Sequence, residues 1–465
     1  MGISARASLS RRLEARVDIA SLVAFRALFG VLMASATIRF AARGWIAEHF
    51  QTPRYFFKYY GFEWVQPWPG AWMYAHYAAM GLAALGVAVG LFYRVSAAVF
   101  FVLFTYAHLI DKTHYLNHYY LVSLLGFLII FMPLHTAASL DARRRAEIRR
   151  ATAPAWALWL LRFQVGAVYF FGGVAKCSHD WILEAQPLTI WLGASPEIPL
   201  LGALFQFKAT AYAMSLAGAA FDLSAPWLLL WKRSRPFAYA AVVAFHILTA
   251  RLFNLGMFPW LMIGFALVFF PPEWPRRLLP RHWLPAPIEA GSAVDPAGRP
   301  APPLPPRARI LARLRESALG AFVAVQVLLP LRHWLYPGNP CWTEEGFRLS
   351  WNVMRMEKSG DIDFTVTDPA TSQTWVIDLN EHLTREQIRM MSTQPDMILE
   401  FSHYLSKRFA QSGHPGVQVR ADAHVALNGR PSHRLVDPSV DLARAEGGFG
   451  RKPWILPLPD ARPRL

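Results

Sequence analysis

Phe163-Gln164-Val165-Gly166-Ala167-Val168-Tyr169-Phe170-Phe171-Gly172-Gly173-Val174-Ala175-Lys176 is an apolar run closed by a lysine, and Cys177-Ser178-His179-Asp180-Trp181 follows it. Only Gln164 and the glycines interrupt it. It reads as the end of a membrane span. An ammonium at the mouth of a span is costly unless something uses or solvates it. Two readings stay open here. The lysine snorkels its charge to the interface, or its desolvated ammonium yields a proton and serves as a base.

Outward from this run, the pattern repeats. The chain has 465 residues, 54% of them hydrophobic. Up to about residue 335 long apolar stretches alternate with short polar ones. The rest has the composition of soluble protein. Nine candidate spans lie at 20–41, 71–92, 95–110, 116–134, 155–176, 206–231, 236–252, 254–271 and 317–335. A bilayer core needs about 20 residues, and the third, seventh and eighth are short of that. The first is too long, and carries Arg26, for a cleavable signal peptide. The expected fold is a polytopic α-helical membrane protein with a small C-terminal extramembrane α+β domain. Its parts are a transmembrane catalytic domain over 1–335 and an α+β domain over 336–465.

The net charge of +16 invites a nucleic-acid reading, and its distribution argues against one. Basic residues gather in alternate loops: Arg6, Arg11, Arg12 and Arg16; Arg94; Arg143 to Arg150; Lys232, Arg233 and Arg235; and Arg276 to Arg315. The other loops hold few, namely Arg43, Arg54, Lys58, Lys112 and Arg251. By the positive-inside rule the N-terminus is cytoplasmic, and nine spans put the C-terminal domain outside. Both cysteines, Cys177 and Cys341, then lie outside, where a disulfide would be chemically allowed. No CxxC or His-rich spacing suggests a metal site.

Segment 285–306 is rich in proline and reads as an extended cytoplasmic loop. Beyond it, 361–366 and 374–379 alternate like strands around the turn sequence Asp368-Pro369-Ala370-Thr371-Ser372-Gln373. Pro395 to Phe409 reads as a helix, with Met397, Phe401, Tyr404 and Leu405 on one face. Residues 417–427, then Asn428-Gly429, then 432–436 give a hairpin signal.

The topology puts four unusual segments at one mouth. They are Asp111 to Leu121, holding Lys112, Asn117 and His118; Lys176 to Trp181, holding Asp180; Arg251 to Phe258, with His246 just before it and Met257 inside it; and Ser350 to Met354, holding Trp351. Each has a plain reading as interfacial aromatic, cap or satisfied histidine. Their convergence at one mouth favours a site.

These residues carry a resemblance. The chain resembles the vitamin K-dependent gamma-glutamyl carboxylase family, whose membrane part is called the horizontally transferred transmembrane domain. The matching motifs are Phe25-Arg26-Ala27-Leu28-Phe29-Gly30, Trp72-Met73-Tyr74, Asp111-Lys112-Thr113 and Asn117-His118. Val168-Tyr169-Phe170, Gly173 to Lys176, Asp180-Trp181, Leu252-Phe253 and Gly256-Met257-Phe258 continue them. Pro272 to Arg276, Trp342-Thr343, Ser350-Trp351 and Asp437-Pro438 complete the series.

The resemblance implies oxidation of reduced vitamin K (phylloquinol or menaquinol) by O2 to its epoxide. That oxidation yields a base that removes a γ-proton from protein glutamate, and CO2 adds to the carbon. It gives Lys176 the role of base towards the hydroquinone and His118, with Asn117, that of its helper. We place His246, Met257, Phe258, Trp351 and Met354 at the quinol pocket. Asp111, Lys112, Asp180, Trp181 and Arg251 are read as supporting residues. Implied partners are the lipid bilayer, the naphthoquinol, a Glu-containing protein or peptide and a quinone-reducing enzyme; no metal and no nucleic acid are expected. The chain departs from animal members. Leu349 and Asn352 stand where those have Tyr and Asp, Ala175 replaces a second lysine, and 42–70 lacks their pairing cysteine. The end at Leu465 and the Arg- and Ala-rich composition suggest a bacterial member, with the periplasm outside; in a eukaryote it would be the endoplasmic reticulum lumen. The alternatives are a quinol epoxidase without peptide carboxylation, and a non-enzymatic sensor or transporter on the same scaffold.

Overall fold

A computed structural model describes residues 12–194, 202–253, 255–286 and 306–459. The proline-rich loop expected over 285–306 lies, but for its ends, outside the described residues. Every expected span seats a helix. Helices α1 (Ala20–Ala42), α2 (Trp72–Val89), α3 (Tyr93–Leu109) and α4 (Asn117–Phe131) come first. Then follow α5 (Ala155–Lys176), α6 (Lys208–Leu230), α7 (Arg235–Leu252), α8 (Phe258–Phe265) and α9 (Pro306–Leu331). By length and composition five helices among the described residues are able to cross a membrane: α1, α2, α5, α6 and Ile310–Leu335. The segments Tyr93–Leu109, Asn117–Phe131 and Phe258–Phe269 are apolar but shorter.

Small residues set the helix spacing, as expected where apolar surface alone gives no drive to associate in lipid. A Cβ on Gly30 of α1 would lie 2.4 Å from the Ala88 nitrogen of α2. A Cβ on Gly173 of α5 would lie 2.7 Å from the Leu223 nitrogen of α6. These two helix pairs can therefore approach backbone to backbone. A two-stranded ribbon, Arg16–Asp18 with Thr152–Pro154, ties the entries of α1 and α5 together.

The C-terminal region is a four-stranded antiparallel sheet with two helices. The strands are β1 (Lys358–Thr367), β2 (Thr374–Val376), β3 (Gln418–Leu427) and β4 (His433–Arg434). Their order is β2-β1-β3-β4. Along β3, Val419, Ala421, Ala423, Val425 and Leu427 are buried while the residues between them are half-buried. That is the period-2 pattern of a sheet with one covered face. Helices α10 (Arg385–Met391) and α11 (Pro395–Gln411) complete the region, and Met397, Phe401 and Leu405 of α11 lie in its core. Tyr404 is half-buried beside them. The expected strand and helix positions are all occupied.

Buried charges clamp this region to the helix ends. Lys112 Nζ meets Asp396 Oδ2 at 2.9 Å and Glu400 Oε2 at 2.8 Å. Gln387 Nε2 donates to Asp111 Oδ2 at 2.9 Å. Asp180 accepts from Arg430 Nη2 at 2.6 Å, from Arg430 Nη1 at 2.8 Å and from Asn428 Nδ2 at 2.8 Å. Burial opposes ionising Asp180, but hydrogen bonds from Arg430 and Asn428 outweigh it and hold the carboxyl below its usual range. Burial likewise opposes Asp396, and Arg348 with Lys112 holds that carboxyl well below its usual range. Cys177 and Cys341 are free thiols.

Candidate active site

Lys176 ends α5, and its side chain turns inward, 5% exposed. Nζ donates to Asp222 Oδ2 at 2.8 Å, to the Val353 carbonyl at 3.3 Å and, at 3.4 Å, to the Gly172 carbonyl. Asp222 sits within the apolar helix α6 and is 7% exposed. The indole of Trp181 covers the ammonium, 5.3 Å from ring centre to Nζ. Trp181 is fixed in turn by Nε1 donating to the Ser215 carbonyl at 2.8 Å. A snorkelling lysine would reach for water; this one is held by a carboxylate, two carbonyls and an aromatic face.

The amine lines a small cavity of about 70 Å³ with Tyr169, Trp181, Asp222, His246, Phe258 and Met354 among its walls. Tyr169 Oη and His246 Nε2 are hydrogen-bonded at 2.9 Å, while Nδ1 of His246 is buried without a partner. Beside it lies a larger cavity of about 360 Å³. Asp111, Asn117, His118, Met257, Phe258 and Met354 are among its walls. Leu255, Phe258, Val353 and Met354 belong to both cavities and form the partition. The larger one is within the range of about 300–1,000 Å³ that small organic ligands occupy. The smaller one is too tight for a fused ring.

His118 and Asn117 start α4. The His118 ring lies 4.6 Å from Tyr119 and 6.0 Å from Phe258, centre to centre. Asn117 Nδ2 donates to the Asn352 carbonyl at 3.2 Å. His49 and His114 also line the larger cavity, their rings stacked at 3.9 Å. Burial first, and the neighbouring His114 second, push the His49 imidazole down to about 4.

The partition comes from a tight clasp of chain. Leu349, Trp351 and Met354 all have left-handed backbone, with φ of 62°, 56° and 52°. Such angles are uncommon for residues other than glycine and persist only where neighbours enforce them. Asn352 Nδ2 donates to the Phe347 carbonyl at 3.0 Å and closes the clasp.

Most of the expected site residues converge, and some do not. Lys176, His246 and Trp181 share the small cavity; His118, Asn117 and Met257 share the large one; Phe258 and Met354 face both. Trp351 lines neither and packs against Tyr120, 5.0 Å between ring centres. Arg251 is exposed at the end of α7 and lines neither. Asp180 and Lys112 line neither and belong to the clamp; Asp111 does both jobs. Sequence reading missed Asp222, although it is the single acidic residue of its helix. It also passed over Arg39 and His49, which line the large cavity.

Two family models match the chain. Residues 15–274 match the HTTM domain, and 312–461 match the lumenal domain of vitamin K-dependent gamma-carboxylase. No solved structure matches it.

Proposed function

Because the chain belongs to the vitamin K-dependent gamma-carboxylase family, we propose that it is an integral-membrane carboxylase acting on protein glutamate, with Lys176 as its base. One observation carries this reading. A buried lysine lines a small cavity that shares a wall with a second cavity large enough for a fused ring. The large cavity fits the expected group, since apolar and aromatic side chains make up most of its walls and Asn117 and His118 are among the polar ones.

The group is a reduced naphthoquinone, phylloquinol or menaquinol, whose oxidation by O2 supplies a base able to free a glutamate γ-proton, so that CO2 can add. Asn117 and His118 orient the ring from the larger cavity. Lys176 would take up a hydroxyl proton at Nζ. Trp181, Met354 and Phe258 keep bulk water from the amine, which protects strongly basic species. All nine helices embed in the bilayer, three of them short, with residues 1–335 as the membrane domain. The N-terminus faces the cytoplasm and the domain over 336–465 lies outside, where a Glu-containing protein or peptide reaches the site. A separate quinone-reducing enzyme regenerates the quinol.

The test incubates purified protein with the quinol, O2, labelled CO2 and a Glu-rich peptide, and follows epoxide and fixed label separately. Both products are expected. Epoxide alone would reduce the enzyme to a quinol epoxidase. Neither product, with quinone bound, would sink the enzymatic reading in favour of a sensor or transporter.

A further inference from the structure

The lysine in the small cavity has a partner whose geometry asks for a role. Asp222 is the only acidic residue in a 23-residue apolar helix, and it points its Oδ2 at Lys176 Nζ, 2.8 Å away. Its other oxygen, Oδ1, has no hydrogen bond among the described residues. Two opposite charges taken out of water each carry a desolvation cost, which attraction repays only when every lone pair is satisfied. Here the carboxylate is half satisfied. The lysine meanwhile directs its N–H groups at three acceptors, two of them distant. As an ammonium it has no lone pair with which to act as a base.

We propose that Asp222 receives the proton that Lys176 must shed, and is the positioning residue that makes this lysine a base. This rests on the reading of Lys176 given above. The step is one proton moving between heavy atoms 2.8 Å apart. The N–H bond breaks and an O–H bond forms; the ammonium–carboxylate pair becomes an amine and a carboxylic acid. Nothing is oxidised or reduced. The freed lone pair on Nζ then accepts a proton from a hydroxyl of the bound quinol. The transfer from Nζ to Oδ2 leaves the net charge of the small cavity at zero; the second proton brings one positive charge, balanced by the negative charge left on its donor in the adjoining cavity.

The surroundings suit this. Among the described residues, Lys176 and Asp222 are the only charged side chains lining the small cavity. The other titratable groups there are Tyr169 from α5 and His246 from α7, bonded to each other. The C-terminal region contributes only Val353 and Met354, and the segment after α5 contributes Trp181. Gly172 of α5 faces the pair, and a Cβ there would make ordinary contact, 3.7 Å, with Asp222 Oδ2.

The experiment uses the full chain in lipid nanodiscs, as wild type, Asp222→Asn and Asp222→Glu. Infrared spectra are taken before and after menaquinol is added without O2, and epoxide formation is then followed against pH with O2 present. We expect a protonated-carboxyl C=O stretch in the quinol-loaded wild type that Asp222→Asn removes and Asp222→Glu keeps. Epoxide formation by Asp222→Asn should fall on the order of 10²-fold near neutral pH. It should recover as pH rises, because the lysine must now yield its proton to solvent; the wild-type profile should be flatter. No such band in either state overturns the proposal even if epoxide forms. So does an Asp222→Asn deficit equal at every pH, which would leave Asp222 a purely structural partner. A band without epoxide in the wild type keeps the shared proton and sinks the assigned reaction.

Discussion

Lys176 and Asp222 depend on each other for stability as well as chemistry. Removing one partner of a buried pair strands the other charge, at a cost of about 3–5 kcal/mol, whereas replacing both with apolar residues is often neutral. Lys176→Met and Asp222→Leu should therefore each lower the melting temperature in detergent. The double variant should recover most of the loss and form no epoxide. Additive losses would show that the two side chains share no energy. His118→Ala removes a ring that packs on Tyr119 and Phe258 at the larger cavity. Its epoxide formation should slow on the order of 10²-fold with quinone still bound; an unchanged rate would make His118 a wall residue. The lysine and the histidine were legible because ionisable groups at the ends of apolar runs stand out. Asp222, the lone acid of an apolar run, was passed over because its partner is 46 positions away in the chain, on another helix. Only the packing of α5 on α6 brings them together. Trp351 and Arg251 were placed at the site by neighbourhood in sequence, and the clasp and the helix end turn them elsewhere.

The element that sets this pairing is the glycine face of α5. A methyl at position 173 would stand 2.7 Å from the Leu223 backbone nitrogen and 2.8 Å from its Cγ. Backbone has nowhere to go, so Gly173→Ala should push α6 outward, destabilise by about 1–3 kcal/mol and lose epoxide formation. Gly166→Ala, whose Cβ would meet side chains alone, Pro226 at 3.3 Å and Phe269 at 3.8 Å, is the milder control. Equal behaviour of the two would detach the close approach from function. Sequence periodicity passed over α10 and the short helices between the spans, and it located α1 to α9 because apolar runs are long and polar breaks abrupt. It misjudged their lengths, since Gly90 and the tight turn at 91–92 end α2 and start α3 inside an apolar stretch. The strands were easier. β3 alternates buried and half-buried residues along its whole length, and one covered face dictates that alternation.

At the scale of the molecule, the two halves are joined by charge, so acid should loosen them in two stages. The His49 imidazole is held near 4 in the fold, against about 6.5 for a free side chain. Between those values the unfolded chain binds more protons, so this stability is complete above about pH 6.5 and falls as pH drops towards 4. Asp180 and Asp396 are held below the free carboxyl value of about 3.9. Their contribution is present above that value and is lost as pH falls through their folded values. Hydrogen exchange in Tyr55 to Phe57 and in α10 should thus rise mildly from pH 7 to 5 and steeply below pH 4. His49→Gln should remove the first stage; a first stage that persists would place its origin elsewhere. Protease added to intact cells or spheroplasts should trim residues 340–465, and full protection would overturn the proposed orientation. The clamp was invisible in sequence because its partners Asp396, Glu400 and Arg430 lie far along the chain, so Lys112 and Asp180 were read as supporting the site rather than as joining the two halves. The clasp has a practical corollary for anyone cutting the gene. Val353 and Met354 are wall to both chambers, and their left-handed neighbours keep that shape only while the sheet region presses on them. A fragment truncated ahead of residue 340 would keep both the lysine and the histidine, yet it would lose half of the partition between its two rooms, which would open to each other and to detergent. Such a fragment should be expected to bind hydrophobic molecules indiscriminately, and its failure to react would say nothing about the intact enzyme.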